Sequence, residues 1–261
     1  MKYKYYQVDA FTDKIFKGNP AGVIFANIND DQLMQKIAFE NNLSETAFVS
    51  KINDEYFIRW FTPFCEVNLC GHATLASAYV FFNFIDNNNA TEFCVNSKSG
   101  ALKVIKRNNK YFLDFPLDEI KPYSDYDLIE NIVGLRPVDL YQGRDDILAI
   151  FENETDIYNI NPKFTLLADI NSRGLIVTGS SKEYDFISRC FFPGTGVNED
   201  PVTGSAHTTL IPYWSKVLNK SKMLAKQVSQ RGGILHCDIS GERAIIGGEA
   251  VLFLIGEIDL D

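Results

Sequence analysis

The sequence predicts an α+β fold of two similar halves, each a curved, mostly antiparallel sheet wrapped around its own buried helix. Three observations predict it. First, one pattern is written twice: Arg59-Trp60-Phe61-Thr62-Pro63, Val67-Asn68 and Cys70-Gly71-His72-Ala73 return as Arg189-Cys190-Phe191-Phe192-Pro193, Val197-Asn198 and Thr203-Gly204-Ser205-Ala206. Arg, Phe, Pro, Val and Asn keep their spacing, and the second copy inserts three residues, including Asp200 and Pro201, before its Gly. Second, short strand-like runs cluster around each copy instead of alternating strictly with helices, which disfavours a doubly wound parallel sheet. Third, 261 residues at 46% hydrophobic content suffice for a sizeable core in one large domain or two small ones.

In chain order, residues 3–11 and 21–25 read as strands around the turn Lys17-Gly18-Asn19-Pro20. Asn29 or Asp30 caps a helix running to about Asn41, with Leu33, Met34, Ile37 and Ala38 on one face. Strands follow at 46–49 and 56–61, then a buried helix rich in Ala and aromatics at 71–84, three short strands at 91–95, 102–105 and 111–115, and a helix at 125–133. The second half repeats the rhythm. Residues 147–151, 175–177 and 184–191 read as extended, 161–170 as helix, and 204–218 as a helix that Pro212 kinks or ends. Residues 227–237 and 243–258 read as strands, with Gly247-Gly248 marking a turn or bulge. The boundary falls in the polar stretch from 118 to 124, giving halves 1–118 and 119–261, with the termini free to cross between them.

A net charge of −9 argues against nucleic acid and anionic membrane as partners. No apolar run reaches the length of a membrane span, and Met1-Lys2-Tyr3-Lys4-Tyr5-Tyr6 lacks the apolar stretch of a signal peptide. The five scattered cysteines read as reduced, intracellular thiols, so a cytoplasmic protein is expected. The histidines at 72, 207 and 236 lie far apart, no Cys pair has finger spacing, and no metal site is expected. No phosphate-binding loop or dinucleotide fingerprint is present.

The differences between the copies point to chemistry. Glu45 precedes Pro63 by 18 residues, and the same offset from Pro193 lands on Leu175, so the acid is one-sided in the duplication. It sits in the mostly apolar run Asn42-Leu43-Ser44-Glu45-Thr46-Ala47-Phe48-Val49, where partial desolvation raises a carboxyl pKa towards the range useful for proton transfer. Cys70-Gly71-His72 answers Thr203-Gly204-Ser205, each at a helix start whose free N–H groups and dipole attract an anion. Two cysteines there would make a two-thiol racemase; only Cys70 is present, and Thr203 does not ionise usefully. Several roles stay open at this level. His72 binds a ligand or packs; Asp200 orients His72, moves protons or shapes a turn before Pro201; Ser205 caps its helix or binds substrate. Gln230-Arg231-Gly232-Gly233 is a tight turn with one cation.

Five blocks in order carry a resemblance: Asp9-Ala10-Phe11, Gly18-Asn19-Pro20-Ala21-Gly22-Val23, Ser44-Glu45-Thr46-Ala47-Phe48, Cys70-Gly71-His72-Ala73-Thr74, and Asp200-Pro201-Val202-Thr203-Gly204-Ser205-Ala206. Over nearly the whole chain they resemble the phenazine-biosynthesis PhzF-like family of isomerases, which has the diaminopimelate epimerase-like fold. The resemblance implies an incomplete β-barrel around a central helix in each half, with the active site between the halves. It implies that Glu45 is the general acid/base, with His72 and Asp200 as its catalytic companions. Gly71, Gly204, Ser205, Thr203 and Asn19 are then the substrate-binding residues. It further implies a homodimer with no cofactor. The expected activity is a proton shift on a small carboxylate substrate. A racemase using Glu45 and Asp200 as opposed bases, and a binding module without chemistry, are the alternatives.

Overall fold

The computed structural model of the chain describes residues 1–260. The chain forms two compact units, one holding residues 1–114 together with the segment from Gly247 onward, the other Phe115–Ile246.

In the first unit, β1 (Lys2–Ala10) is followed by β2 (Asn19–Phe25), α1 (Asp31–Asn41), β3 (Glu45–Ile52), β4 (Glu55–Phe61), β5 (Glu66–Val67), α2 (Gly71–Val80), β6 (Glu92–Ser97), β7 (Gly100–Arg107) and β8 (Lys110–Pro116). The second comprises β9 (Lys121–Pro122), α3 (Tyr126–Val133), β10 (Asp139–Gln142), β11 (Asp146–Ile150), α4 (Glu154–Asn159), α5 (Phe164–Ala168), β12 (Gly174–Ser180), β13 (Phe186–Phe192), β14 (Val197–Asp200), α6 (Ala206–Leu218), β15 (Lys222–Gln227), β16 (Gly233–Ser240) and β17 (Arg243–Gly248). The chain then returns to the first unit as β18 (Ala250–Asp259).

The duplication is visible in the strand pairings. In the first unit β18, β1, β2, β3, β4, β6, β7 and β8 follow one another as neighbours, with β5 beside β4. In the second, β9, β10, β11, β12, β13, β15 and β16 do the same, with β14 beside β13. Most neighbours are antiparallel. The parallel pairs fall at matching places, β2 with β3 and β4 with β6 against β11 with β12 and β13 with β15. The repeated arginines are explained here. Arg59 clamps Glu66 through Nε (2.8 Å) and Nη2 (2.8 Å), tying β4 to β5; Arg189 clamps Glu199 through Nε (2.7 Å) and Nη2 (3.0 Å), tying β13 to β14.

Each sheet curves around one helix. α2 packs on β1, β2, β3, β7 and β18, and α6 packs on β11 and β16. Nine of the ten α2 residues are buried, polar ones included. Thr74 and Ser77 achieve this by donating back to the carbonyls of Cys70 and Ala73, which satisfies hydroxyls that would otherwise be costly inside a core. On the outer face of the first unit, α1 buries Met34, Ile37 and Ala38 against Tyr5, Ile24, Phe48 and Phe61. Burial of Met34 or Ile37 is worth about 2 kcal/mol each. Asp30 caps α1 by accepting from the amides of Gln32 and Leu33. Asp125 caps α3 in the same way through Leu128.

The two units divide after Asp114, and the C-terminal strand β18 pairs with β1 along its length, in the first unit. Several expectations change. The helix expected over 161–170 is confined to the short α5, and a further short helix, α4, precedes it outside that range. The strand expected over 227–237 is a hairpin, β15 and β16, whose turn contains Gly232 at φ +66°. The turn or bulge expected at Gly247-Gly248 falls at Glu249, between β17 and β18. Helix 71–84 ends as α-helix at Val80 and widens into a π turn over Phe81–Ile85. Pro212 lies inside α6 without ending it. No helix among the described residues is long and apolar enough to cross a membrane.

Candidate active site

Glu45 is the first residue of β3, and Asn19 the first of β2. Parallel pairing sets Glu45 beside Ala21, so both polar residues reach the same end of the sheet. His72 is the second residue of α2, the helix that packs on these strands. The result is a compact cluster. His72 Nε2 lies 3.1 Å from Glu45 Oε2, with side-chain exposures of only 6% and 19%. On the other ring nitrogen, Asn19 Nδ2 stands 3.2 Å from Nδ1 and Cys70 Sγ 3.6 Å from it.

This geometry assigns the proton on the imidazole. With the Asn19 amide nitrogen donating to Nδ1, the proton of neutral His72 sits on Nε2, which lies 3.1 Å from Glu45 Oε2 but outside hydrogen-bond geometry. Burial pushes the His72 pKa down to about 3, so the ring is uncharged at neutral pH. His72 is thus an uncharged ring beside a half-buried acid.

Glu45, Cys70 and His72 also bring three metal-ligand atoms within 4.8 Å of one another, a grouping hidden in the sequence by their separation. The contacts divide between the two edges of one ring, with Cys70 at Nδ1 and Glu45 at Nε2. One ring nitrogen, the Cys70 thiol and a Glu45 carboxylate oxygen are nevertheless close enough together for one ion to draw on all three.

The second unit holds a different cluster at the start of α6. Asp200 ends β14 and accepts from the Thr203 hydroxyl at 2.5 Å. Gln227, the last residue of β15, bonds both residues. His207 Nδ1 is 2.8 Å from the Thr203 carbonyl, and burial pushes its pKa down to about 4. Ser205 does not cap α6: its backbone is already helical and its hydroxyl makes no cap bond. The hydroxyl lies instead 3.4 Å from Nη2 and 3.5 Å from Nη1 of Arg173. That guanidinium is gripped by the buried Asp146 through Nε at 2.8 Å and through Nη2, and it covers the Phe192 ring. Burial raises the pKa of Asp146 against the lowering pull of Arg173.

Among the described residues, no side chain caps the N-terminus of α2 or of α6, whereas Asp30 and Asp125 cap α1 and α3. Gly71 opens α2 and is buried, as is Gly204 just before α6. The structure thus groups Glu45, His72 and Asn19 in one unit and Asp200, Thr203, Gly204 and Ser205 in the other. Gln227, Arg173 and Asp146 were not anticipated. The segment Gln230-Arg231-Gly232-Gly233 shapes the hairpin turn between β15 and β16.

Strand register also corrects the comparison of the halves. Phe61 and Phe191 are equivalent in the repeat; Phe61 faces Thr46, and Phe191 faces Leu175. The structural counterpart of Glu45 is therefore Gly174, one residue away from the Leu175 that offset counting gives. A Cβ at Gly174 would lie 2.3 Å from the Phe191 carbonyl oxygen and 2.3 Å from the Phe192 ring. The second half has no room for any side chain where the first half carries its acid.

Residues 8–256 match the family model described as phenazine biosynthesis-like protein. The chain is 47% identical over 258 residues to an uncharacterised isomerase of Halalkalibacterium halodurans, covering 97% of each. A solved PhzF-family phenazine biosynthesis protein from Enterococcus faecalis is 46% identical, superposes with a TM-score of 0.94, and is covered completely by this chain and covers it completely. A hydroxyproline epimerase from Agrobacterium vitis, 10% identical with a TM-score of 0.65 over 100% of this chain and 93% of that one, shares the fold.

Proposed function

The chain belongs to the phenazine biosynthesis-like family of isomerases, and we propose that it is a cofactor-independent isomerase that moves a proton on a small carboxylic acid. One observation carries this reading: a neutral histidine and a half-buried glutamate at the head of a strand stand 3.1 Å apart, ring Nε2 to carboxylate Oε2. Glu45 removes a proton from a carbon activated by the substrate's acidic group and returns one to another carbon. His72 fixes the carboxylate's orientation without adding charge, so Glu45 remains a usable base instead of being quenched in an ion pair.

In this reading an uncapped helix start takes the substrate carboxylate: Gly71, with Asn19, offers one in the first unit, and Gly204, with Thr203 and Ser205, offers one in the second. Each helix start carries roughly half a positive charge, which favours the negative charge that develops as the proton leaves. Asp200 supports that proton movement. The homodimer is part of the same proposal and is read by light scattering.

The test is exchange in heavy water. Wild-type protein is incubated with a panel of small carboxylic acids, and deuterium gain is followed by mass spectrometry beside Glu45→Gln. The proposal expects incorporation by the wild type and none by the variant, with an unchanged fold. Exchange by Glu45→Gln at the wild-type rate overturns it. Inversion at a stereocentre favours the racemase reading, with Glu45 and Asp200 as opposed bases. Carboxylate binding with no exchange at any carbon favours a binding module.

A further inference from the structure

Gln227 is completely buried at the end of β15, and the sequence marks it with no motif. Its amide meets the Asp200–Thr203 segment at three points. The Thr203 N–H donates to Oε1 at 2.8 Å, while Nε2 donates to the Asp200 carbonyl at 2.8 Å and to Thr203 Oγ1 at 3.2 Å. The orientation of this amide is fixed twice over, because a backbone N–H can only donate and a carbonyl can only accept. Thr203 Oγ1 is thereby an acceptor from Gln227. Its one proton is directed to Asp200 Oδ2, 2.5 Å away. That oxygen must accept, which favours the ionised carboxylate.

We propose that Gln227 is a positioning residue that, through the Thr203 hydroxyl, holds Asp200 as a carboxylate and so as a proton acceptor. The consequence for the reaction rests on the reading above, in which Asp200 supports proton movement. The relay itself does not. It also gives Thr203 a role at the position where a two-thiol racemase would need its second cysteine: the hydroxyl is a locked donor to Asp200, not a proton source for substrate.

The ionisable groups packed around this relay leave room for that role. Cys190 on β13 is the register partner of Asp200, and burial raises its thiol pKa well above the ordinary value, so it is neutral. His207 on α6 is neutral for the same reason. Glu199, next in chain, is occupied by Arg189. Arg173 and Asp146, which both act on Cys190, neutralise each other.

The test needs no substrate. The full chain is labelled with 13C at aspartate carboxyls, the Asp200 signal is assigned with Asp200→Asn, and its titration midpoint is measured. Thr203→Val, which removes the donor, is expected to raise the midpoint by about one pH unit. Thr203→Ser keeps the wild-type midpoint, because it keeps the hydroxyl. Gln227→Leu raises the midpoint by less than Thr203→Val, and the double variant shows no further rise beyond Thr203→Val alone. An unshifted midpoint in Gln227→Leu, or a rise that adds fully to that of Thr203→Val, overturns the proposal and leaves Gln227 a packing residue. Should Gln227→Leu not fold, an unshifted midpoint in Thr203→Val overturns it equally. None of these outcomes bears on whether Glu45 exchanges protons, so the two readings fail separately.

Discussion

The corner where β2, β3 and α2 meet and the corner where β11, β12 and α6 meet are the same place in two copies of one design, yet they hold opposite chemistry. The first carries an acid, a neutral imidazole and an amide at Glu45, His72 and Asn19. In the second, Glu45 is replaced by Gly174, His72 by Ser205, and Ala21 by Asp146, which holds Arg173 in a closed ion pair. One copy keeps an ionisable group next to an uncharged partner; the other spends its charges on each other and offers hydroxyls. Duplication supplies two helix starts of equal electrostatic sign, and divergence at a few positions leaves Glu45 and His72 at one of them and Gly174 and Ser205 at the other.

The sharpest way to break this contrast is at the acid itself. Glu45→Gln should lower exchange at least about a thousandfold, within the span seen when a general base is removed, while the thermal midpoint stays close to wild type. The mirror experiment is Gly174→Ala. The added methyl meets a backbone carbonyl and the Phe192 ring at 2.3 Å, so a loss of about 3 kcal/mol in chemical denaturation is expected. A neutral effect would mean that the second corner is open and that its lack of an acid has another origin.

Acid stability follows from the buried imidazoles in both corners. His72 and His207 have folded-state pKa values of about 3 and about 4, below the ordinary 6.5. The unfolded chain therefore binds protons that the folded chain refuses. The stability these residues confer is complete above pH 6.5 and falls as pH drops towards those lower values, by about 2 kcal/mol each at pH 5. His207→Asn should remove about half of this dependence, as read from urea midpoints against pH. A smaller effect is expected at Asn19. In Asn19→Asp the new carboxylate favours a proton on Nδ1 of His72, and exchange should drop about tenfold, the equivalent of roughly 1.4 kcal/mol.

Much of the first corner was legible in the sequence, because its signals are local. Asp30 is a side-chain oxygen before an apolar face, and Glu45 is an acid amid apolar residues at a strand's mouth. Gly71-His72 is a glycine turn leading into small residues. The second corner was less legible because its partners are joined by pairing, not by spacing. Asp146 and Arg173 meet because β11 runs parallel to β12, with Asp146 beside Gly174. Gln227 reaches Thr203 because β15 runs parallel to β13, and it ends a strand where the sequence pattern suggests the start of one. Offset counting also failed by one residue, which turned Gly174 into Leu175. A one-residue slip along a strand exchanges its two faces, so the error concealed why the second copy has no acid.

The central claim is that His72 is uncharged and carries its proton on Nε2, beside Glu45. The most direct measurement is the 15N spectrum of His72 in uniformly labelled protein, followed from pH 8 to pH 4. The account predicts a protonated Nε2 and an unprotonated Nδ1 throughout that range, with no conversion to imidazolium. A doubly protonated ring near neutrality, or a proton on Nδ1, would contradict it.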